Sequence, residues 1–335
     1  MKKNILITGG LGFIGSNFIR HLYNKYPDYS IWNFDLMTYA GNPDNLLDIE
    51  DLESKEENKR YFFIKGDICD SLKLNEIFNR IEFDFVVNFA AESHVDRSII
   101  NSDQFIRSNI TGVHVLINIL RHHNRTRFIQ ISTDEIYGDV PEKIKSNENY
   151  PIQPSNPYAA SKAAADVLVQ SYMKTFGLSA IIVRGANNFG FYQYPEKIIP
   201  LTITNLIQGI PVPIHGSGSQ IRNWVHTNDF SEGLDIVMHN APNSSIYNIS
   251  GTEKSIIDVV KKIGEIMGKS GKKDLIVNVN DRPGRDMRYA PDSSKLTLEF
   301  GWKPKKSVDE SLNEVIHWYL NNKKWWQDIM TKKRK

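Results

Sequence analysis

The sequence predicts an α/β fold in which a doubly wound parallel sheet is followed by a smaller mixed α/β domain. Short apolar runs alternate with helix-period segments through the first two-thirds of the chain, which is typical of strand–helix–strand units. A glycine-rich turn follows the first run, and beyond residue 186 Asn, Gly, Pro and aromatic residues become frequent. We therefore predict a sheet domain at 1–186 and a ligand-covering domain at 187–330, with about 222–245 returning to the first domain.

Six apolar runs are predicted strands because they are short, apolar and bounded by turn residues. They are 5–8, 31–35, 61–65, 85–89, 127–132 and 179–183. Segments with apolar residues at helical spacing lie between them and are predicted to cover the faces of the sheet: 15–26, 72–79, 109–123 and 157–175. In the second domain we predict helices at 197–208, 255–268 and 308–321.

Composition and charge exclude several classes of partner. Hydrophobic residues make up 40% of the chain and charged residues 24%, and the net charge is only +2, so no strong field attracts nucleic acid or an anionic membrane. The single cysteine, Cys69, has no disulfide partner and no metal-binding spacing, which favours a cytoplasmic protein without a metal. No apolar stretch approaches membrane-spanning length. The basic end, 331–335, is interpreted as a solvated tail.

The glycine-rich turn predicts a dinucleotide site in a Rossmann domain. Residues 8–15 read TGGLGFIG: Gly9 permits a tight turn, Gly12 lets the backbone approach a pyrophosphate, and Gly15 lets helix and strand pack closely. Asp35 ends the next predicted strand, where a ribose diol needs a carboxylate. A merely flexible turn would not require Asp35. Since this carboxylate repels the 2′-phosphate of NADP, we predict NAD as the cofactor.

A tyrosine and a lysine stand one helical turn apart at the start of the predicted helix 157–175. Tyr158 and Lys162 therefore project from the same face. An ammonium near a phenol favours the phenolate, so Lys162 is expected to lower the pKa of Tyr158 and make it a proton acceptor for a sugar hydroxyl. Taken alone, the spacing is also that of a helical tyrosine beside a surface lysine.

Two adjacent carboxylates follow the fifth predicted strand, in the run Thr133-Asp134-Glu135. In a doubly wound sheet this is the ligand end. Thr133 is predicted to hydrogen-bond the reacting hydroxyl. Asp134 and Glu135 supply the acid and base that elimination of water requires, provided that their environments separate their pKa values. The alternative is a pair of solvated loop acids.

At these residues the chain resembles the extended short-chain dehydrogenase/reductase family, and within it the dTDP-glucose 4,6-dehydratases. The likeness runs almost end to end. Besides the segments above it includes YAGN at 39–42, AAESHVDRS at 90–98, NN at 187–188, YPEK at 194–197 and DRPG at 281–284. The Asp-Glu pair at 134–135 points to dehydration, since related epimerases and decarboxylases lack it.

The resemblance implies an NAD-dependent lyase that converts a nucleotide-linked hexose to its 4-keto-6-deoxy form. Tyr158 with Lys162 and Thr133 would act at C4, Glu135 as base at C5 and Asp134 as acid at C6. The residues expected to contact the cofactor, from the motifs above and from the family resemblance together, are Gly9, Gly12, Phe13, Ile14, Gly15, Asp35, Asp67, Ile68, Ala90, Ser93, Asn109, Tyr158, Lys162 and Asn187. The implied substrate contacts are Ser93, His94, Thr133, Asn188, Lys197, Arg222 and Arg282.

Departures from the family pattern leave the nucleotide open. Gly185-Ala186, Phe189-Gly190-Phe191, Ile256 and Arg285 stand where other residues are usual. A UDP-linked sugar or an N-acetylated hexosamine is therefore an alternative substrate. A C4 epimerase and a silent nucleotide sensor are alternative functions, although the Asp-Glu pair and the complete set of proton donors favour the dehydratase.

Two further expectations concern the long helices and the aromatic C-terminus. Pairing of the helices 109–123 and 157–175 with those of a second copy would build a homodimer, as the resemblance implies. The aromatic cluster near the end of the chain is interpreted as packing of a C-terminal helix rather than as a sugar-stacking or partner surface. Its members are Trp318, Tyr319, Trp325 and Trp326.

Overall fold

The computed structural model describes residues 2–269, 275–281 and 283–332 of the 335-residue chain. Its strands are β1 (Lys3–Thr8), β2 (Tyr29–Asp35), β3 (Tyr61–Lys65), β4 (Phe85–Asn88), β5 (Arg127–Thr133), β6 (Ala180–Gly185), β7 (Asn187–Phe189), β8 (Val212–His215), β9 (Ile221–His226), β10 (Ser245–Ile249), β11 (Thr252–Ser255) and β12 (Ile276–Val279).

The helices follow the strands in alternation through the first two-thirds of the chain. They are α1 (Phe13–Lys25), α2 (Leu47–Glu53), α3 (Ser71–Arg80), α4 (Val95–Ile100), α5 (Asp103–Ile106), α6 (Val113–Leu120), α7 (Pro157–Phe176), α8 (Ile198–Gln208), α9 (Thr227–Asn240), α10 (Ile256–Ile266), α11 (Ser294–Phe300), α12 (Val308–Asn321) and α13 (Lys323–Lys332). Short 3₁₀ turns lie at Pro43–Leu46 and Asp134–Tyr137, and a π-helical turn at Arg107–Gly112 leads into α6.

The main sheet has seven strands in the order β3-β2-β1-β4-β5-β6-β10, and every neighbouring pair is parallel. The chain winds outwards from β1 to β3 on one side and from β4 to β10 on the other. The order therefore reverses between β1 and β4, where a crevice opens at the carboxyl ends of the strands. The predicted doubly wound sheet is confirmed.

Both faces of this sheet are buried because its strands are apolar at consecutive positions. Ile5 and Ile7 of β1 pack into a core with α1 and α9, while Leu6 packs into a second core with α3, α6 and α7. Successive side chains on a strand point to opposite faces, so one run of apolar residues fills both cores. Since all neighbouring strands are parallel, their carboxyl ends lie along one edge of the sheet.

The sequence analysis missed the seventh strand, β10. Its five residues, Ser-Ile-Tyr-Asn-Ile, are short and half polar, and pairing with β6 rather than a strong local pattern makes them a strand. The helix before it, α9, covers the same face of the sheet as α1. The segment about 222–245 therefore leads back to the main sheet. The division of the chain at residue 186 stays a prediction.

The remaining elements form a smaller mixed region beside the crevice. A three-stranded sheet has the order β11-β9-β7, with one antiparallel and one parallel pair, and β8 pairs in parallel with β12. A third apolar core unites these strands with α8, α10, α12 and α13. In the part of the chain that the structure describes, no helix is both long and apolar enough to cross a membrane, and no group of three His, Cys, Asp or Glu side chains could hold a metal ion.

Candidate active site

A long cavity runs along the carboxyl ends of the strands, across the point where the strand order reverses. Most of the residues selected from the sequence line it: Gly9, Gly12, Phe13, Ile14, Gly15, Asp35, Asp67, Ile68, Ala90, Ser93, Thr133, Asp134, Glu135, Tyr158, Lys162, Asn187, Asn188 and Lys197. An adjoining cavity shares Ser93, Glu135, Asn187, Asn188 and Lys197 and adds His94 and Arg222. The fold thus gathers strand ends that lie far apart in the sequence.

One predicted cofactor residue, Asn109, is not among the residues that line this cavity. Asn109 is buried behind the wall, where its amide bonds the backbone of Glu92 through both the N–H (2.9 Å) and the carbonyl (3.0 Å), and also Ser161 Oγ (2.8 Å). These bonds hold the loop after β4, and the cofactor contact of Asn109 stays a prediction. Arg282 lies outside the described residues.

The glycine loop between β1 and α1 leaves no room for a side chain at Gly9 or Gly15. Gly9 has φ +71°, and a Cβ on it would lie 2.5 Å from Ala90 N, whereas a Cβ on Gly15 would lie 2.4 Å from Gly9 O. A Cβ on Gly12 would meet only Gly9 O, at 3.3 Å, and otherwise faces open space. The backbone at Gly12 is thus exposed to a ligand at the N-terminus of α1, which suits a pyrophosphate.

The Asp35 carboxylate sits beside this loop. It accepts hydrogen bonds from Leu11 N (3.0 Å) and Met37 N (2.7 Å), so its position relative to the glycine loop is fixed. Burial raises its pKa, and the two backbone bonds oppose that shift. A carboxylate keeps further acceptor sites beyond these two bonds, and they suit a ribose diol.

Asp67 and Ile68, which follow β3, line the same cavity but are also structural. The Asp67 carboxylate accepts from Cys69 N (2.8 Å) and forms an ion pair with Arg107 (2.7 Å). Ile68 is buried, and a Cβ on Gly112 would clash with it. The contact with adenine stays a prediction.

Several buried polar atoms on the cavity wall have no hydrogen-bond partner among the described residues. They are the side-chain oxygens of Asn187, Asn188 and Gln193, together with Asp134 Oδ2. Burying such atoms without partners is costly, so a polar ligand is expected to satisfy them. The glycine cradle, Asp35 and these atoms together fit a dinucleotide and a second polar ligand.

Tyr158 and Lys162 lie at the centre of the cavity, on the first turns of α7. Asn156 caps this helix through a bond from Ala159 N to its side-chain oxygen (2.9 Å), and Pro157 occupies the first helical position. Lys162 Nζ donates to Ile131 O at the end of β5 (2.6 Å), and burial lowers the lysine pKa to about 8. The helix cap and the strand end thus set the two side chains against the sheet.

The effect of Lys162 on Tyr158 differs from the expectation. Burial raises the pKa of Tyr158, the Glu135 charge raises it further, and a hydrogen bond with Thr133 opposes the shift. The Lys162 ammonium is directed at Ile131 O, and any lowering of the Tyr158 pKa by its charge is smaller than the rise that burial causes. Desolvation of the phenol outweighs the proximity of the lysine.

The two adjacent acids are held in different environments. Asp134 is completely enclosed, and burial followed by the neighbouring Glu135 charge raises its pKa well above the usual range, while Arg222 lowers it. Thr133 Oγ1 donates to Asp134 Oδ1 (3.3 Å). Glu135 Oε2 instead accepts from Asn156 Nδ2 (3.5 Å) and from the Tyr289 hydroxyl (3.4 Å). This arrangement favours the protonated form of Asp134, which is the form that a general acid needs.

Comparisons with known proteins agree with this geometry. A family model described as GDP-mannose 4,6 dehydratase matches residues 6–315. The chain is also 42% identical to a dTDP-glucose 4,6-dehydratase of Escherichia coli, over 97% of this chain and 96% of that protein. The chain belongs to the sugar-nucleotide 4,6-dehydratase family.

Solved structures of the same family have the same fold. A dTDP-glucose 4,6-dehydratase of Bacillus anthracis in complex with NAD superposes with a TM-score of 0.90 at 38% identity, covering 98% of this chain and 99% of that one. A dTDP-glucose 4,6-dehydratase of Streptomyces venezuelae with NAD bound gives 0.90 at 37% identity, covering 97% and 99%. The predicted family is confirmed.

The far end of the dehydratase cavity contains polar residues that the sequence analysis did not select. The Tyr39 hydroxyl donates to the buried carboxylate of Glu196 (3.1 Å), and His94 Nε2 lies 3.6 Å from the same carboxylate. The Arg97 guanidinium lies 3.6 Å from the centroid of the Tyr39 ring. Tyr39 and Glu196 stand within segments that carried the family resemblance, so that resemblance was the available signal for both.

The adjoining cavity is organised around Arg222. Its guanidinium lies 4.1 Å from the centroid of the Tyr289 ring and donates to Asp286 O (3.0 Å). The Tyr289 hydroxyl donates to Asp286 Oδ2 (2.7 Å) as well as to Glu135. Neither Tyr289 nor Asp286 follows a strand or belongs to a local motif, so only the fold reveals them.

Proposed function

We propose that this chain catalyses the NAD-dependent dehydration of dTDP-glucose to dTDP-4-keto-6-deoxyglucose. The observation that carries the proposal is the pair of acids at 134–135, one fully buried with a raised pKa and one hydrogen-bonded at the cavity wall, beside Tyr158. An acid and a base are what elimination of water across C5 and C6 requires. The names of the relatives support the same reaction.

The cofactor residues of the proposal come from the first half of the chain. The backbone at Gly12 and the N-terminus of α1 would hold the pyrophosphate, and Asp35 would hold the adenosine ribose. The partnerless side-chain oxygen of Asn187 suits an amide donor. When bound, NAD would accept a hydride from C4 of the sugar and return one to C6.

The oxidation at C4 would use Tyr158 as the proton acceptor. Thr133, which lines the same cavity, would orient the Tyr158 hydroxyl towards the C4 hydroxyl. Lys162, whose pKa of about 8 leaves it mostly protonated at neutral pH, supplies the positive charge that favours phenolate as the proton is taken. The buried setting strengthens each of these interactions.

The elimination would use the two acids in turn. Once C4 is a ketone, the proton on C5 is acidic, and Glu135 would remove it as general base. Asp134 would protonate the departing C6 hydroxyl, which its raised pKa permits. In the adjoining cavity Asn188, Lys197 and Arg222 would bind the diphosphate, while Ser93 and His94 would lie near the sugar.

A direct test is to incubate the purified protein with dTDP-glucose, UDP-glucose, GDP-mannose or UDP-N-acetylglucosamine, with and without added NAD, and to measure product mass. Loss of one water from dTDP-glucose alone is the expected result. Loss of water from a different sugar nucleotide would support the dehydration reaction and would show that dTDP-glucose is the wrong substrate. If no sugar loses water and an epimer forms instead, the dehydratase proposal is wrong.

We also propose that the protein is a cytoplasmic homodimer. Apolar side chains are exposed on the outer face of α7, including Val167 and Phe176, and a second copy of the same helices would cover them. The free thiol of Cys69 suits a reducing compartment.

Light scattering should give the mass of a dimer. Val167→Lys should shift this mass towards that of the monomer, whereas Val277→Lys, at an exposed site elsewhere, should not. A monomeric wild type would contradict the dimer.

A further inference from the structure

Three aromatic side chains, Tyr192, Trp318 and Trp325, form a cluster that we call the aromatic latch. Tyr192 lies in the loop after β7, Trp318 on α12 and Trp325 on α13. The ring centroids are 4.7 Å apart for Tyr192 and Trp318, 5.8 Å for Tyr192 and Trp325, and 5.2 Å for the two tryptophans, with steep interplanar angles. Edge-to-face pairs of this kind favour a defined arrangement of the three elements.

The latch connects the C-terminal helices to the glycine loop through a chain of hydrogen bonds. Trp325 Nε1 donates to Asn45 Oδ1 (3.0 Å), and Asn45 Nδ2 donates to Leu11 O (2.8 Å), which lies within the glycine loop. Leu11 N in turn donates to Asp35 (3.0 Å). The last helix of the chain is therefore joined to the residues that surround the proposed dinucleotide.

A second connection reaches the cofactor helix α1 itself. The guanidinium of Arg20 lies 4.6 Å from the centroid of the Tyr192 ring, and the same side chain donates to Asn45 O (2.7 Å) and pairs with Asp48 (2.7 Å). Tyr192 has φ +63°, a left-handed conformation that is costly for a bulky residue. The contacts with Arg20 and the tryptophans hold Tyr192 in this conformation.

The latch forms part of the wall of the main cavity. Tyr192, Trp325 and Asn45 line it together with Gly12 and Asn42. Trp318 and Trp325 pack against the apolar core of the smaller mixed region, whereas Asn45 is bonded to the glycine loop that follows β1 of the main sheet. An interaction that joins the two halves at this wall opposes widening of the cavity.

We propose that the aromatic latch retains NAD through the catalytic cycle, with Trp325 as a positioning residue that acts through Asn45 on the glycine loop. The inference rests on the proposed function. In that reaction the reduced cofactor must stay bound until the C6 position is ready for reduction, because its loss after C4 oxidation would leave a dead-end ketone. A wall that is tied to α13 slows that loss.

The test measures the release of NADH from protein loaded with it, followed by NADH fluorescence after mixing with excess NAD. Trp325→Ala removes the ring and the donor, and it should speed release about tenfold; Trp325→Phe keeps a ring and should have a smaller effect, about threefold. Arg20→Met, at the other connection, should also speed release. Thermal unfolding of each variant is measured in parallel.

Trp302→Phe is the matched control. Trp302 is buried in the core formed with α9 and β10, beside Gly233, and its indole N–H has no partner among the described residues. The substitution Trp302→Phe should lower the unfolding temperature without changing the rate of NADH release. If the Trp325 and Arg20 variants released NADH at the wild-type rate and still dehydrated the substrate, the latch proposal would be wrong and the proposed function would stand. If the wild type bound no NADH at all, the proposed function would fail with it.

Discussion

Replacing Asp166 by Asn should destabilise the protein strongly, because it would leave a buried guanidinium without its counter-charge. Asp166 lies on α7 and Arg184 on β6, with side chains 0% and 2% exposed and an Nε–Oδ2 distance of 2.9 Å. Arg184 also donates to the Tyr137 hydroxyl and to Glu148 O, both at 2.9 Å. These neutral acceptors cannot replace the carboxylate charge.

The size of the effect follows from the burial of the pair. Breaking a fully buried ion pair by removing one partner costs about 3–5 kcal/mol. A chain of 335 residues that unfolds cooperatively has an unfolding entropy of about 0.7 kcal/mol per kelvin. The unfolding temperature of Asp166→Asn should therefore fall by about 4–7 °C.

Differential scanning calorimetry of three proteins tests this reasoning. The double variant Asp166→Leu/Arg184→Met removes both charges and should unfold close to the wild type, because well-packed apolar residues can replace a buried pair at little cost. An unfolding temperature for Asp166→Asn within about 1 °C of the wild type would refute the reasoning. So would a double variant that is less stable than the single one.

Three further outcomes follow from the site. Asp134→Asn should slow loss of water by about 10²–10⁴-fold while C4 oxidation persists, seen as bound NADH absorbance after substrate is added; unchanged dehydration would contradict its role as acid. Burial lowers the pKa of Lys162 from 10.5 to about 8, so between these values the unfolded chain holds a proton that the folded chain has released, and stability should rise with pH there. Urea unfolding at pH 8 and at pH 10.5 should show that the free energy of unfolding of the wild type rises by about 3 kcal/mol and that this rise is absent in Lys162→Met. An equal rise in the wild type and the variant would count against the lowered pKa of Lys162. Gly15→Ala places a Cβ 2.4 Å from Gly9 O, so it should cost about 1–3 kcal/mol and reduce copurified NAD, measured after acid release; full NAD occupancy would argue against the close packing.

Much of the first half of the chain was predictable because its signals are local. The strands β1 to β6 coincide with short, mainly apolar runs, the glycine loop stands between one of them and a helix, and the order of elements predicts a parallel sheet. The ends of parallel strands meet at one edge, so Asp35 and Thr133 were both expected at the ligand end of the sheet. The structure places both on the wall of the same cavity.

Other features depend on contacts between distant segments. The strand β10 has a weak local pattern and is stabilised by pairing with β6, and the side chain of Asn109 bonds the loop at Glu92. The pKa of Tyr158 is set by burial, which no spacing in the sequence reports. Sequence spacing gives proximity along one element, whereas desolvation depends on everything packed around the group.

The amino-acid sequence by itself predicted the doubly wound sheet, the glycine loop and the cofactor type, because each depends on residue chemistry at short spacing. The roles of acid, base and proton acceptor stay predictions that the family resemblance supports. Only the tertiary structure decided which acid has its pKa raised by burial and how Trp325 reaches the glycine loop. Both depend on burial and on contacts across the chain, such as that between Asn45 and Trp325, which arise only when the two halves pack together.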